Sequence, residues 1–287
     1  MKRFVLACAV AGLVVPAALA RTRNISVDTD GADAITSCDQ VRVTYDRGDG
    51  YRAQESVPVS GLRTLKVDAA RNGGIYVSGG RGYSVTACKS AELQTTLGDL
   101  RTTLDGNQVS ATGPDSENWV VYFIVTVPQG GTLGVESHNG PISVRDVDAS
   151  VTAIAHNGPI SLKNAGGTLE VSTQNGPISL SGGSGNVKLN AQNGPISVNL
   201  EDSWNGSLDA HTKNGPLAVH VPANFRSGTV IESDGHGPVS CRAEACRSAV
   251  RSYDDEDSGR ARRIEFGSGP TVVHMSTSNG PLTIKED

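Results

Sequence analysis

The stretch HNGPISVRDVDASVTAIAHNGPISLKNAGGTLEVSTQNGPISLSGGSGNVKLNAQNGPISV, residues 138–198, repeats Asn-Gly-Pro at Asn139, Asn157, Asn175 and Asn193, 18 residues apart each time. A fifth copy follows 21 residues later at Asn214, a sixth stands at Asn279, and a variant, His236-Gly237-Pro238, lies between them. A fixed period near twenty residues is the mark of a stacked architecture in which no single repeat can bury its own apolar face. Around each Asn the same offsets recur. Leu169, Val171 and Thr173 precede Asn175, and Ile178 and Leu180 follow it; Val187, Leu189, Ala191, Ile196 and Val198 stand at the same offsets around Asn193. Period-two alternation on both sides of the tripeptide means two short strands, each with one buried face. The position two before each Asn holds only small residues, Ser137, Ala155, Thr173, Ala191 and Thr212, as expected where a wall closes in.

Asn-Gly between alternating runs is ordinarily a hairpin signal. Here the proline opposes it, because the residue after Gly would have to donate the N–H that closes the turn, and Pro141, Pro159, Pro177, Pro195 and Pro216 have none. The tripeptide is therefore read as a corner at which the chain bends into a second wall, with antiparallel hairpins as the runner-up. The fold class expected is all-β: a single-stranded parallel β-helix, or β-solenoid, of about 18–22 residues per coil, rising roughly 4.8 Å per coil. Stacking would set Asn over Asn, so that Asn139, Asn157, Asn175, Asn193, Asn214 and Asn279 form a structural ladder of side-chain amides. Asn also tolerates the left-handed backbone that a corner can require.

The remaining chain is read around this repeat. Residues 1–20 fit an export signal, with Lys2 and Arg3 before an apolar run from Phe4 to Leu19 and Ala18-Leu19-Ala20 as a cleavage site. The run is too short for a transmembrane anchor and contains Pro16, and the lipoprotein box suggested by Val5-Leu6-Ala7-Cys8 is the less favoured alternative. The mature chain is expected to be soluble, periplasmic or extracellular, without a transmembrane segment. Its four cysteines, Cys38, Cys88, Cys241 and Cys246, are an even number in an oxidising compartment, with three connectivities open. Cys38–Cys88 and Cys241–Cys246 are favoured because each pair shares a sequence region. Residues 21–130 form a β-rich cap with degenerate repeats, and 131–287 the repeat domain, with a charged loop insertion at 247–263. Within the cap, Leu65, Val67 and Ala69 lead to Asn72-Gly73-Gly74, Ile75 and Val77, a repeat with Gly in place of Pro. A short helix is expected near Ser90 to Leu97, a turn at Asp105-Gly106-Asn107, and a strand from Trp119 to Val127 that feeds the first full coil. Trp204, in the three-residue insertion before Asn214, is read as packing over a coil edge, with a sugar platform as the alternative.

The successive Asn-Gly-Pro-Ile-Ser units, together with Leu133 to Val144 and Trp204-Asn-Gly-Ser-Leu-Asp-Ala-His-Thr-Lys-Asn-Gly-Pro-Leu, resemble the bacterial "putative adhesin" repeat family of exported proteins, similar to adhesin-like head domains. The resemblance covers roughly Leu65 to the C-terminus. It implies a right-handed parallel β-helix and a non-catalytic role, and it brings no catalytic residues to carry over.

The residues themselves offer little chemistry. The net charge of −5 gives no basis for nucleic-acid binding. Outward positions are mostly hydroxyls, Ser143, Ser161, Ser179, Ser197, Ser240 and Thr283, and a hydroxyl row without a positioned base is no nucleophile. Asp209 and His211 alternate on one strand, an ordinary surface pairing. No catalytic, cofactor or metal residues are assigned and no cofactor is expected: His138 and His156 would stack one strand spacing apart, but no further ligands stand near them in sequence. The row before each corner Asn, His138, His156, Gln174, Gln192 and Lys213, is the candidate binding stripe. The expectation is an exported non-enzymatic scaffold, adhesin-like, that presents this face to an envelope or surface protein or glycan; the alternative is a polysaccharide-binding or polysaccharide-cleaving protein of the pectin-lyase-like type.

Overall fold

In a parallel stack every backbone N–H and C=O must find its partner one repeat above or below. In this computed structural model, which describes residues 25–28, 35–202, 204–235, 237–253 and 261–286, the two runs of each repeat do so in two separate sheets. Strands that precede the corner, Thr132–Ser137, Asp148–Ala155, Gly166–Thr173, Gly185–Ala191 and Gly206–Asn214, lie side by side in a twelve-stranded sheet. Strands that follow it, Ile142–Arg145, Ile160–Lys163, Ile178–Ser181, Ile196–Asn199 and Leu217–Val221, lie in an eleven-stranded sheet. Within the repeats all the pairing is parallel and in register, Ile142 beside Ile160, Ile178, Ile196 and Leu217, and Val151 beside Leu169, Val187 and Leu208. The protein is thus all-β with long parallel sheets, and the hairpin alternative is excluded at every Asn-Gly-Pro between Asn139 and Asn214.

Alternation decides which side chains are covered. Ile142, Ile160, Ile178 and Ile196 are each about 1% exposed and stack on one another between the sheets, whereas Ser161, Ser179 and Ser197 face outward. One continuous apolar cluster runs from Val57 to Ile284. The degenerate repeat behaves as its sequence suggests: Thr64–Ala69 pairs with Thr132–Ser137, and Ile75–Gly80 with Ile142–Arg145.

At the N-terminal end the pairing turns antiparallel. Trp119–Pro128 runs parallel to Ile75–Gly80 and antiparallel to Ser84–Ala91, which pairs in turn with Tyr51–Val57. On the other sheet Arg101–Asp105 and Gln108–Thr112 form a hairpin through Gly106. The helix is Gln94–Asp99, displaced from the stretch Ser90 to Leu97, because the Val85–Ala87 alternation continues as strand to Ala91 before the helical spacing takes over. A small sheet, Ile25–Asp28, Arg42–Tyr45 and Gly48–Asp49, covers the outer face of the eleven-stranded sheet here, over Tyr76, Val120 and Tyr122. Cys38 and Cys88 are disulfide-bonded across this contact, with Cα atoms 5.2 Å apart, and Cys241 pairs with Cys246 at 6.1 Å.

The C-terminal end departs from sequence order. Ser268–Asn279 lies between Gly206–Asn214 and Ser227–Ser233, and Leu282–Glu286 lies between Leu217–Val221 and Val239–Cys241. The last repeat therefore inserts between the two that precede it. The loop insertion also has more structure than a solvated loop: Val250–Tyr253 and Ala261–Phe266 pair antiparallel and join the twelve-stranded sheet. The export signal, His236, the run Asp254 to Asp257 and Arg260 lie outside the described residues. Among the described residues no helix is long and apolar enough to cross a membrane.

Candidate functional site: the corner face and its N-terminal groove

The corner is built by three residues with different tasks. Each Asn donates its amide to the Asn of the neighbouring repeat: Asn157 Nδ2 to Asn139 Oδ1, Asn175 to Asn157, Asn193 to Asn175 and Asn214 to Asn193, all at 2.9 Å, and Asn279 to Asn214 at 3.0 Å. Five exposed carboxamide bonds therefore run one way along the stack. The glycine is required by close approach. A Cβ at Gly176 would lie 2.2 Å from Gly158 O, and one at Gly194 would lie 2.0 Å from Gly176 O. The proline accepts, its carbonyl taking the N–H of the residue after the neighbouring proline, as in Ile160 N to Pro177 O at 2.9 Å. The corner Asn residues do not use left-handed backbone. Among the described non-glycine residues that conformation is taken by Arg71, Asp146 and Asn164, and the last two form the opposite corner, where Asn164 Nδ2 donates to Asp146 Oδ1 at 3.0 Å.

Beside the ladder, His138, His156, Gln174, Gln192 and Lys213 follow one another along the same edge, Gln174, Gln192 and Lys213 exposed and the two imidazoles half-exposed. The rings of His138 and His156 stack at 4.9 Å and 6°. Their outward nitrogens diverge to different carboxylates, His156 Nε2 lying 2.9 Å from Glu136 Oε1 and His138 Nε2 lying 3.8 Å from Asp68 Oδ1. Among the described residues no three His, Cys, Asp or Glu side chains are grouped so as to hold a metal ion. Burial holds the Asp68 carboxyl above its ordinary value against the pull of His138, and its Oδ1 is buried without a hydrogen-bond donor.

Asp68 and Glu136 are not marked by the repeat in sequence, because only the pairing of Thr64–Ala69 with Thr132–Ser137 sets them side by side. They also line a groove of about 480 Å³ on the outer face of the twelve-stranded sheet, with Lys66, Gly134, Thr152, Ile154 and the Asn107-Gln108 turn. No protein-family model matches this chain, and no curated protein does. Solved structures to which the chain shows a likeness include a "putative cell adhesion protein" from Clostridium sporogenes ATCC 15579, at 10% identity and TM-score 0.32, covering 83% of this chain and 100% of that one. Others are a "putative adhesin" from Bacteroides fragilis NCTC 9343, at 12% and 0.31 with 83% and 97% covered, and a "putative lipid binding protein" from Parabacteroides distasonis ATCC 8503, at 7% and 0.34 with 82% and 97% covered. At such identities and scores the likeness says nothing about what this chain binds.

The other sequence candidates fall into separate places. Asp209 and His211 do not act together. Asp209 Oδ1 lies 3.1 Å from His274 Nδ1, whose Nε2 lies 2.8 Å from Glu232 Oε1, while His211 Nδ1 lies 2.8 Å from Ser276 Oγ. Glu232 is also paired with Arg263, so one ionic network joins the inserted last repeat to strands on either side of it. Trp204 packs its ring against the main core, in keeping with the coil-edge reading. The outward serines, spread over the opposite sheet, form no cluster with these acids.

Proposed function

We propose that this chain is an exported, non-catalytic scaffold whose two sheets are the walls of a flattened β-solenoid, and that its corner face, adhesin-like, meets a protein or glycan of the cell envelope or surface. The observation that carries this reading is the Asn ladder. Five consecutive amide-to-amide bonds hold an exposed row of polar groups at one spacing, next to the stripe His138, His156, Gln174, Gln192 and Lys213. Groups fixed in this way lose little further freedom when a partner docks, and that loss is a main cost of association. Each carboxamide keeps a second N–H and a second lone pair for that partner. The Cys38–Cys88 and Cys241–Cys246 bridges accord with a compartment outside the cytoplasm.

The test is capture from crosslinked envelope fractions together with a glycan array, comparing the mature chain with the variant carrying Ala at His138, His156, Gln174 and Gln192. Loss of a bound species in the variant, with the unfolding transition intact, is expected. Binding that survives the four substitutions refutes the corner face as the contact surface. Cleavage of a polysaccharide, abolished by one acidic substitution such as Asp209→Asn, would refute the scaffold reading in favour of the pectin-lyase-like alternative.

A further inference from the structure

Among the repeats that carry a corner Asn, two outward positions on the twelve-stranded sheet break its polar rule, and they are neighbours. Five residues before the corner Asn the repeats carry Thr152, Glu170, Lys188, Asp209 and His274, but Gly134 stands there in the first full repeat. Three residues before it they carry Glu136, Ser172, Asn190, His211 and Ser276, but Ile154 stands there in the second. Ile154 is 37% exposed, one of three large apolar side chains so exposed among the described residues. Gly134 is unlike the corner glycines. A Cβ there would meet only Lys66 Cγ, at an ordinary 3.5 Å, and its φ is not left-handed. Neither packing nor backbone demands a glycine, and a glycine inside a strand weakens it. Its effect is to leave an empty floor. The result is the groove with Ile154 and Thr152 on one side, the stem of Lys66 on the other, and Asp68 and Glu136 at the end nearest the corner.

The chemistry of the groove is graded along its length. The apolar part would accept an aliphatic chain, and the acidic end presents two carboxylates, one with a buried oxygen that has no donor. The two carboxylates face only the half-exposed imidazoles of His138 and His156, and a positively charged donor entering the groove would add a partner to them. Lys66, at the other side of the same groove, repels a cation there and confines a positive head to the Asp68–Glu136 end. Lysine and arginine side chains have this layout, an apolar stem behind a charged head.

We propose that this groove receives a lysine or arginine side chain of a partner polypeptide, its stem over Gly134 against Ile154 and its head at Asp68 and Glu136. The source is a polypeptide because the acidic end is continuous with the corner stripe through the Asp68–His138 and Glu136–His156 contacts, so a chain that anchors one side chain here runs on along the ladder. This rests on the scaffold reading and names the chemistry of its partner at the N-terminal end of the corner face.

The experiment is a titration of the mature chain, ¹³C-labelled at isoleucine methyls, with the capped peptide acetyl-Gly-Ser-Arg-Ser-Gly-amide, its citrulline analogue and spermidine. A saturable shift of the Ile154 methyl with the arginine peptide is expected, with no shift of the buried Ile178 methyl and none caused by the citrulline peptide. Gly134→Val fills the floor and Asp68→Asn removes the charge, and each is expected to weaken binding at least tenfold while Glu170→Gln leaves it unchanged. The unfolding midpoint of Gly134→Val checks that the fold is kept. No Ile154 shift, an equal response to citrulline, or unchanged affinity in Gly134→Val overturns the proposal. Spermidine bound as tightly as the peptide overturns the polypeptide assignment. An envelope species kept by Gly134→Val but lost by the four-residue corner variant overturns the groove and leaves the scaffold standing; one kept by both overturns the two together.

Discussion

Replacing Gly176 by alanine adds one methyl group at the middle of the corner ladder, and its cost can be worked from the neighbouring repeat. The new Cβ would lie 2.2 Å from Gly158 O and 2.7 Å from Gly158 C, where ordinary contact begins near 3.4 Å. The two repeats must part there by about 1 Å. The bonds across that gap, Asn175 N to His156 O at 2.8 Å and Ile160 N to Pro177 O at 2.9 Å, would then exceed hydrogen-bond length, at about 1 kcal/mol each. Overpacking adds about 1–3 kcal/mol, for a loss of about 3–5 kcal/mol, a large share of the ~5–15 kcal/mol typical of a folded domain. Gly134→Ala is the control, because its methyl meets only Lys66 Cγ at an ordinary 3.5 Å; it is expected to be neutral or to stabilise by up to ~1 kcal/mol. Urea unfolding followed by circular dichroism measures both. Loss of less than about 1 kcal/mol in Gly176→Ala, or equal losses in the two variants, would refute the claim that close approach is what demands the corner glycine.

Three further outcomes are expected. Ile178→Asp, which places a carboxylate where the side chain is about 1% exposed, should abolish the cooperative unfolding transition, while Ser179→Asp on the outer face should shift it by less than ~0.5 kcal/mol; equal tolerance would overturn the assignment of faces. Removing the Cys38–Cys88 bridge by the double serine substitution should cost about 4 kcal/mol for a closed loop of 50 residues, and no change on reduction would refute its role in holding the small sheet. The third concerns pH. Burial lowers the His274 imidazole, but its bonds to Glu232 and Asp209 prevail and hold it above 6.5; burial raises Glu232, but His274 and Arg263 prevail and hold it below 4.5. The imidazole's contribution is fully present below pH 6.5 and is lost as pH rises through its raised folded value. The carboxylate's contribution is present above 4.5 and is lost as pH falls through its lowered one. The stability difference between wild type and His274→Ala should therefore be greatest between about pH 4.5 and 6.5 and shrink on both sides; a difference that grows toward pH 8 would refute the network.

Much of the corner face is legible in the sequence. The proline after each Asn-Gly removed the donor that a hairpin needs, and the fixed offsets sorted Ile160 and Ile178 from Ser161 and Ser179 without reference to distant chain. The amide ladder from Asn139 to Asn193 follows from equal spacing alone. The groove could have been found the same way, since Gly134 and Ile154 are the exceptions at their offsets, but an exception on a surface row attracts notice only once the strands lie side by side. Asp68 was hidden for a different reason. It belongs to a degenerate repeat, separated from Leu133 by the cap strands, and only pairing of Thr64–Ala69 with Thr132–Ser137 brings it to His138.

What the sequence by itself determined is local and periodic: the corner, the buried and outward faces, the register within each repeat and the amide ladder between equally spaced copies. These depend on alternation and on the missing proline N–H, both of which act over a few residues. The tertiary structure alone decided the order in which the repeats stack. Asn279 bonds to Asn214 across 65 residues, and Ser227–Ser233 is left on the far side of Ser268–Asn279, against Ala261–Phe266. Nothing local distinguishes one neighbour from another when the offsets agree. The choice is made by which pair of corners completes the carboxamide chain, and by the Asp209–His274–Glu232 network that fastens the inserted repeat on both sides.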